Sequence, residues 1–551
     1  MLLVTAAVLP YLFTLNYAFV FDDPVFIEKN PAVRALQPVG RYFTDPETLS
    51  SKQEYVHQIY RPLRTLAFSG LYGVFGSNPV PFHLLNLLLH VLCTLLVYSL
   101  ARSLRGEEFV AWVAAALFAV HPVHSEAVTW ISSLADVLST AAVLATLRLF
   151  VSKSSSLRII AVAVVFPVAL LSKEPAITVP VLLTAIAVYR RAELGEGPLR
   201  RVTYGAIGGS YIVAVSYFFW RAHVLGQVGQ TPLSMEYFFH ALGRVHLVLF
   251  EYVRLTIVPS YLCSLRVPLD TMQTGIITHF VAACSLLVSA GAVVVGFRRR
   301  SFVSLAVLLF LISLTPILNL LPVVVDIAER FAYLPSVFFA MLLAEGFFFF
   351  KQAGASRLAT ILTGAVLLAF ALRLAVYNRT WETPLSVATA QAECVPPDPN
   401  AFWNLGNALV DLGRWKEAAT SFETLLAFDE NRVSTLNNLA FVQLQLKRFD
   451  RAELLSRKSL QADPDNISGK NNLGAALVGR GRHREALTLF REITASAPDH
   501  FNAWVNRGIS AAAVGELDEA AAAYDAAIAL RPDAPLPRRL KSRLPRLPRA
   551  D

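Results

Sequence analysis

Two carboxylates stand side by side at Asp22-Asp23, directly after twenty-one residues without a charged side chain. Adjacent like charges repel, and one pKa of such a pair tends to rise. In a shielded cleft an acid pair of this kind binds a metal or acts as a general base. On a plain surface it is a polar stop after an apolar segment, helped here by Pro24. Further candidates follow along the chain. His121 and His124, in His121-Pro122-Val123-His124-Ser125-Glu126, offer ring nitrogens to a metal or a phosphate, or serve as polar anchors. Asp136 is an isolated carboxylate inside an apolar run, a functional candidate by default or an inter-helix hydrogen-bonding group. Lys173-Glu174 joins two short apolar segments and reads as a loop salt bridge or as part of a site. Arg330 suits a phosphate through its forked donors or snorkels to headgroups. Arg61 invites the same two readings. As a set these residues suit transfer from a lipid-linked phosphate donor. A carboxylate takes the proton of an acceptor hydroxyl, and a cation or metal neutralises the departing phosphate.

The elements that must position these groups are apolar helices. The 551 residues are 55% hydrophobic and 16% charged, against about 25% charged in a soluble globular chain. Mean hydropathy is +0.50. The chain reads as an all-α, polytopic membrane protein, and its net charge of +9 is to be read by location and not as a nucleic-acid signal. Eleven spans are expected, at 1–20, 81–100, 109–120, 127–150, 158–171, 175–189, 203–220, 275–296, 302–321, 333–350 and 357–377. The first reads as a retained span, since no basic segment opens it and no small-residue cleavage site precedes Asp22. Segment 236–258 contains Arg244, His246, Glu251 and Arg254, each central charge costing about 2.5–3.5 kcal/mol in a bilayer. It is expected at the interface or re-entrant.

Basic loops at 102–105, 153–158, 190–201, 298–300 and 351–357 place one face in the cytoplasm. Asp22, Asp23, His121, His124, Lys173, Glu174, Arg330 and everything after residue 378 then share the exoplasmic face. Arg61 joins them in the first exoplasmic loop, 21–80. Cys93, Cys263, Cys284 and Cys394 show no paired spacing and suggest neither a zinc site nor a disulfide framework.

The carboxy-terminal third changes character. Gly406, Ala440, Gly474 and Gly508 are spaced 34 apart, as are Ala418, Ala452, Ala486 and Ala520. Pro464, Pro498 and Pro532 close three of the units. A 34-residue period with small residues where two helices meet is the signature of tetratricopeptide (TPR) repeats, which stack into a superhelix with a concave groove. The expected divisions are a transmembrane domain 1–380, a linker 381–398, four repeats 399–534 and a disordered, basic, proline-rich tail 535–551. Asn404, Asn407, Asn438 and Asn472 recur on first helices. Their carboxamides can bond an extended acceptor peptide or simply face solvent.

Read in order, Phe21-Asp22-Asp23, Tyr60-Arg61-Pro62-Leu63 and Phe82-His83-Leu84-Leu85-Asn86 are followed by His121-Pro122-Val123-His124-Ser125-Glu126. Ala135-Asp136-Val137-Leu138-Ser139, Ser172-Lys173-Glu174 and Glu329-Arg330-Phe331-Ala332-Tyr333-Leu334-Pro335 complete the set. With the repeats behind them, these motifs resemble the transmembrane and TPR repeat-containing (TMTC) family and its prokaryotic relatives, within the GT-C glycosyltransferases. The resemblance implies a membrane enzyme that moves a sugar, mannose or another hexose, from a polyprenyl-phosphate donor to a hydroxyl, a protein Ser or Thr in the animal members. It implies Asp22 and Asp23 as the catalytic motif, with His121, His124, Lys173, Glu174 and Arg330 as donor-phosphate or structural partners, and Arg61 is expected beside them as a second cation for the phosphate. Only four repeats are present, fewer than the animal pattern, which leaves the acceptor open. No cofactor is specified and a divalent metal is left open. The partners implied are a lipid-linked sugar donor, an acceptor protein in the TPR groove and the membrane, with no nucleic acid. The membrane is a bacterial inner membrane with periplasmic repeats or an endoplasmic reticulum with lumenal ones. The competing reading is a non-catalytic, membrane-anchored TPR scaffold.

Overall fold

In a bilayer the backbone has no water to bond, so long apolar runs close their hydrogen bonds internally as helices. The computed structural model describes residues 1–51, 59–194, 197–226, 235–264, 278–284, 287, 290–291, 301–319, 327–394 and 397–544. Among the described residues there are helices and no strands. They form two units: Met1–Ala390 with Cys394–Pro396, and Gln391–Glu393 with Pro397–Asp551.

In the first unit ten of the eleven expected spans fall on helices or on runs of consecutive helices. The eleventh, 275–296, and the basic run Arg298-Arg299-Arg300 lie largely or wholly outside the described residues. Among the described residues five helices are long and apolar enough to cross a membrane: Val80–Arg105, Ile131–Phe150, Ser155–Ser172, Pro198–Leu225 and Ser356–Trp381. A sixth forms if Glu108–Val120 and Pro122–Thr129, bent by 50° at His121, count as one. Leu2–Asn16, Glu174–Tyr189 and Phe302–Ile317 are shorter apolar helices. Ile131–Phe150 is 78% buried over its apolar window and Ser356–Trp381 only 17%. The former is therefore the centre of the bundle and the latter its rim. Proline sets the breaks: Pro10 stands where the first helix tightens into a 3-10 turn, and Pro122 where the bent pair parts, because its ring removes a donor and clashes with the preceding turn. Met235–Ile257 is a single helix, and any 18-residue stretch of it holds three charged residues. It is not among the helices apolar enough to span.

One expectation about cysteine is overturned. Cys263 and Cys394 form a disulfide, Cα to Cα 5.9 Å, across 131 positions, while Cys93 and Cys284 are free. The spacing held no sign of it because the pairing is made by the tertiary fold.

The second unit is four helix pairs, Pro399–Asp411 with Trp415–Phe428, Val433–Gln445 with Phe449–Ala462, Ile467–Gly479 with His483–Ser496, and Phe501–Val514 with Leu517–Leu530. The recurring glycines are steric. A Cβ on Gly406, Gly474 or Gly508 would stand 2.4–2.6 Å from a ring atom of Phe422, Phe490 or Tyr524. The tail departs from the disorder expected of it over its first half. Pro535–Ser542 is a helix, with Leu540 and Leu544 packed on the Ala520 and Tyr524 core and Lys541 bonded to Asp525. Its basic residues mask an apolar i, i+4 pair that covers the open face of the last repeat. Residues 545–551 lie outside the described residues.

Candidate active site

The acidic pair sits on a tight turn that Asp23 closes from both sides. Its backbone N–H donates to the Val20 carbonyl (3.0 Å), and its carboxylate accepts the Val20 N–H (3.0 Å). The other carboxylate oxygen accepts the N–H and the hydroxyl of Ser132, at 2.9 and 2.5 Å. Between these anchors Phe21 adopts a left-handed backbone, φ 56°, a conformation a non-glycine residue keeps only where its surroundings impose it. The Phe21 ring meets Trp130 edge to face at 5.4 Å. Asp23 is fully buried. Burial raises its carboxyl to about 7, against three hydrogen bonds that lower it, and the Asp22 charge adds to the rise. Asp22 is the half-buried member of the pair.

The cations come from separate stretches, and each meets an acid. Arg61 donates to Glu174 at 3.2 and 3.4 Å. Lys173 pairs with Asp136, both buried. Burial lowers the Lys173 ammonium to about 8, against the pull of Asp136. Lys173 and Glu174 therefore do not form the loop pair that adjacency suggests. Lys173 is extended (φ −159°, ψ 143°), and successive side chains of extended backbone point opposite ways. Arg330 binds Glu126 through its side chain and through its backbone N–H (2.8 Å). Its guanidinium lies 5.1 Å from the Trp130 ring and 4.9 Å from Phe331, and the Lys173 ammonium is 4.9 Å from the same Phe331 ring. Asp22 and Asp136 both lie within electrostatic reach of Arg330.

Two residues of this cluster escaped the sequence reading as partners. Glu126 was visible only as the end of the histidine motif. Arg64, on the first turn of helix Pro62–Phe75, stacks 4.0 Å from the Phe26 ring and is 1% exposed. Its Nε and one Nη have no hydrogen-bond partner among the described residues. Burial, with the Arg61 charge beside it, lowers its guanidinium to about 9, while Glu174, Asp22 and Asp136 pull the other way. Its place three residues after Arg61 was the available signal.

The histidines have partners of another kind. His121 Nδ1 accepts the Val123 N–H (3.2 Å) and its Nε2 faces the Thr256 carbonyl (3.0 Å). A carbonyl only accepts, so Nε2 carries the proton and both nitrogens are engaged. His124 Nε2 bonds the Ser336 hydroxyl (2.7 Å), and its ring lies 4.7 Å from Tyr333. Both are buried and tie the helix break to neighbouring helices. Among the described residues no group of three or more His, Cys, Asp or Glu could hold a metal ion.

In the second unit Asn404, Asn438, Asn472 and Asn506 occupy one position of the 34-residue period. Each donates its amide N–H to a preceding element: Asn404 to Gln391 (3.0 Å), Asn438 to Asn407 (2.9 Å), Asn472 to the Asn437 carbonyl (2.9 Å) and Asn506 to Asn471 (3.5 Å). The ladder thus fixes the carboxamides. Asn438 and Asn472 line a cavity of about 730 Å³ with Asn437, Asn471, Phe441 and His500. Asn404 and Asn407 are not among its lining residues.

These features define an all-helical, polytopic membrane protein carrying a buried cluster of acids and cations, followed in sequence by a TPR solenoid. Residues 62–220 match the model of dolichyl-phosphate-mannose-protein mannosyltransferases, and residues 404–467 and 471–535 match the tetratricopeptide repeat. The chain is similar to the protein O-mannosyl-transferase F38B6.6 of Caenorhabditis elegans, 27% identical over 78% of this chain and 62% of that one. It is also similar to the human protein O-mannosyl-transferase TMTC1, 28% identical over 80% of this chain and 56% of that one. The resemblance to the TMTC proteins is thereby borne out, and this chain spans about six-tenths of the length of these relatives. Among solved structures, TTC0263, a TPR protein of Thermus thermophilus, is 27% identical over 27% of this chain and 81% of that one, with a TM-score of 0.25.

Proposed function

We propose that this chain is a membrane glycosyltransferase. It moves a hexose, mannose by analogy with the names of its relatives, from a polyprenyl phosphate to a Ser or Thr hydroxyl of a protein at the exoplasmic face. The observation that carries the reading is the meeting of Asp22, Arg61, Arg64, Lys173, Glu174 and Arg330, from four separated stretches, in one electrostatic neighbourhood. Asp22, the accessible acid, takes the proton of the acceptor hydroxyl, and Asp23 holds the turn that presents it. The sugar carbon forms its bond to the acceptor oxygen as its bond to the phosphate oxygen breaks. The electron pair stays on the phosphate, where Arg330, Arg61, Lys173 and Arg64 neutralise the added charge. Glu126, Glu174 and Asp136 orient those cations.

The side of the membrane is supported by two independent features. Basic loops gather at the opposite helix ends. The Cys263–Cys394 disulfide belongs in an oxidising compartment, and both cysteines lie in segments read as exoplasmic. The asparagine ladder of the repeats is read as the acceptor-peptide surface, with Asn438 and Asn472 on the cavity and Asn404 and Asn407 extending the row.

The test is transfer in a purified system. The full chain, in detergent, is given a polyprenyl phosphate bearing labelled hexose and a Ser/Thr-rich peptide. Label is expected in the peptide. A folded protein that binds the peptide yet transfers nothing would leave a membrane-anchored scaffold instead.

A further inference from the structure

A charged cavity lies at the far end of the same bundle. Helix Leu134–Phe150 starts just after Ser132, the partner of Asp23, and runs 17 residues, about 25 Å. At its distal end a cavity of about 360 Å³ opens among Lys153, Arg158, Arg190, Glu193 and Thr203, the volume of about twelve water molecules. Phe150, Ile186 and Leu199 give it apolar walls.

The cations are held largely without acids. Arg158 is buried; its Nε donates to the Ser152 carbonyl at 3.0 Å and its Nη1 to the Thr203 hydroxyl. Arg190 donates through Nη1 to the Val151 carbonyl at 2.7 Å and through Nε and Nη2 to Glu193 at 2.8 and 2.6 Å. Lys153 is exposed and has no ion pair among the described residues. Three cations against the single Glu193 leave an excess of two positive charges in a half-apolar cavity. Beside it, Leu157, Ile159 and Ile160 are 36%, 55% and 43% exposed, an apolar strip on a helix read as membrane-spanning. Tyr204 stands near Arg200, 5.9 Å from ring to guanidinium, as aromatic residues do at the headgroup level.

We propose that this cavity binds the phosphate headgroup of an anionic phospholipid, whose acyl chains lie along the Leu157–Ile160 strip. Clustered Lys and Arg at a membrane boundary attract anionic lipid, and guanidinium forks suit a phosphate. Apolar walls continuous with a lipid-facing strip select an amphiphile over a soluble anion.

The test uses the purified full chain in detergent, with native mass spectrometry counting retained lipid. Phosphatidylglycerol should be retained in preference to phosphatidylcholine. The Lys153→Gln/Arg190→Gln variant, which leaves the buried Arg158 in place, should weaken that retention by roughly tenfold or more, at about 1 kcal/mol per cation. Arg102→Gln, outside the cavity, should leave it unchanged. Equal retention of both lipids, an unaffected double variant, or displacement of phosphatidylglycerol by millimolar glycerol phosphate would each overturn the proposal.

Discussion

The Asp23 carboxylate accepts both the backbone N–H and the hydroxyl of Ser132, at 2.9 and 2.5 Å, across 109 positions. That contact fastens the loop after the first helix to the start of the central one. It also leaves Asp22 as the less buried acid of the pair. Asp23 is fully buried and thrice bonded; Asp22 is its half-buried neighbour on the turn that Asp23 closes. Above pH 7, where the Asp23 carboxyl is ionised, a hydrogen bond to it contributes about 1.5–3 kcal/mol. Ser132→Ala should lower stability by that amount and reduce kcat more than donor KM, because it loosens the presentation of Asp22. Unchanged kcat in a destabilised variant would contradict the positioning role.

Burial lifts Asp23 to about 7 from an ordinary value of 3.8. Between those limits the folded protein keeps a proton that the unfolded chain has lost. The contribution is therefore fully present below pH 4 and is lost as pH rises through 7. Melting curves in detergent should show stability falling over that window, by an amount on the order of 4 kcal/mol at about 1.4 kcal/mol per unit. Asp23→Asn should flatten the slope. An identical slope in both proteins would mean that another group titrates.

Arg64 separates stability from function. A buried guanidinium with unbonded nitrogens costs free energy, and replacing buried charge by an apolar side chain of similar volume is often neutral or stabilising by ~1–4 kcal/mol. Arg64→Met should hold or raise the melting temperature while raising donor KM at least tenfold. A variant that melts earlier with unchanged KM would make Arg64 a packing residue.

Lys173 and Asp136 are both buried, so neither can be removed alone without stranding its partner. Lys173→Met should cost ~3–5 kcal/mol. Lys173→Met/Asp136→Leu should recover most of that stability and none of the transfer. Recovery of transfer in the double variant would take Lys173 out of the site.

The disulfide gives a prediction that needs no assay of activity. Alkylation under non-reducing conditions should label Cys93 and Cys284 after denaturation and spare Cys263 and Cys394. Cys263→Ser should cost ~2–4 kcal/mol. Four free thiols in protein taken directly from membranes would place residues 263 and 394 on the reducing side and undo the exoplasmic assignment.

Much of the arrangement was legible in the sequence, for physical reasons. Apolar runs force helices, and a 34-residue period with glycine opposite an aromatic forces the repeats. Charges at span ends, such as Asp22, Lys173 and Arg330, stand out because a membrane makes them costly. Arg64 did not stand out, since an arginine in a polar loop is ordinary until the fold buries it. The pairing also lay beyond sequence. Lys173 and Glu174 look like partners, yet the extended backbone at Lys173 sends one to Asp136 and the other to Arg61. For His121 and His124, spacing could not reveal that their Nε2 atoms meet the carbonyl of Thr256 and the hydroxyl of Ser336. The Pro535–Ser542 helix was hidden by its basic composition.

The most direct measurement is hexose transfer from a polyprenyl-phosphate donor by Asp22→Asn, compared with wild type at matched folding and donor occupancy. The account predicts a loss of at least about a hundredfold in kcat, with donor KM little changed. Transfer at the wild-type rate by that variant would contradict it.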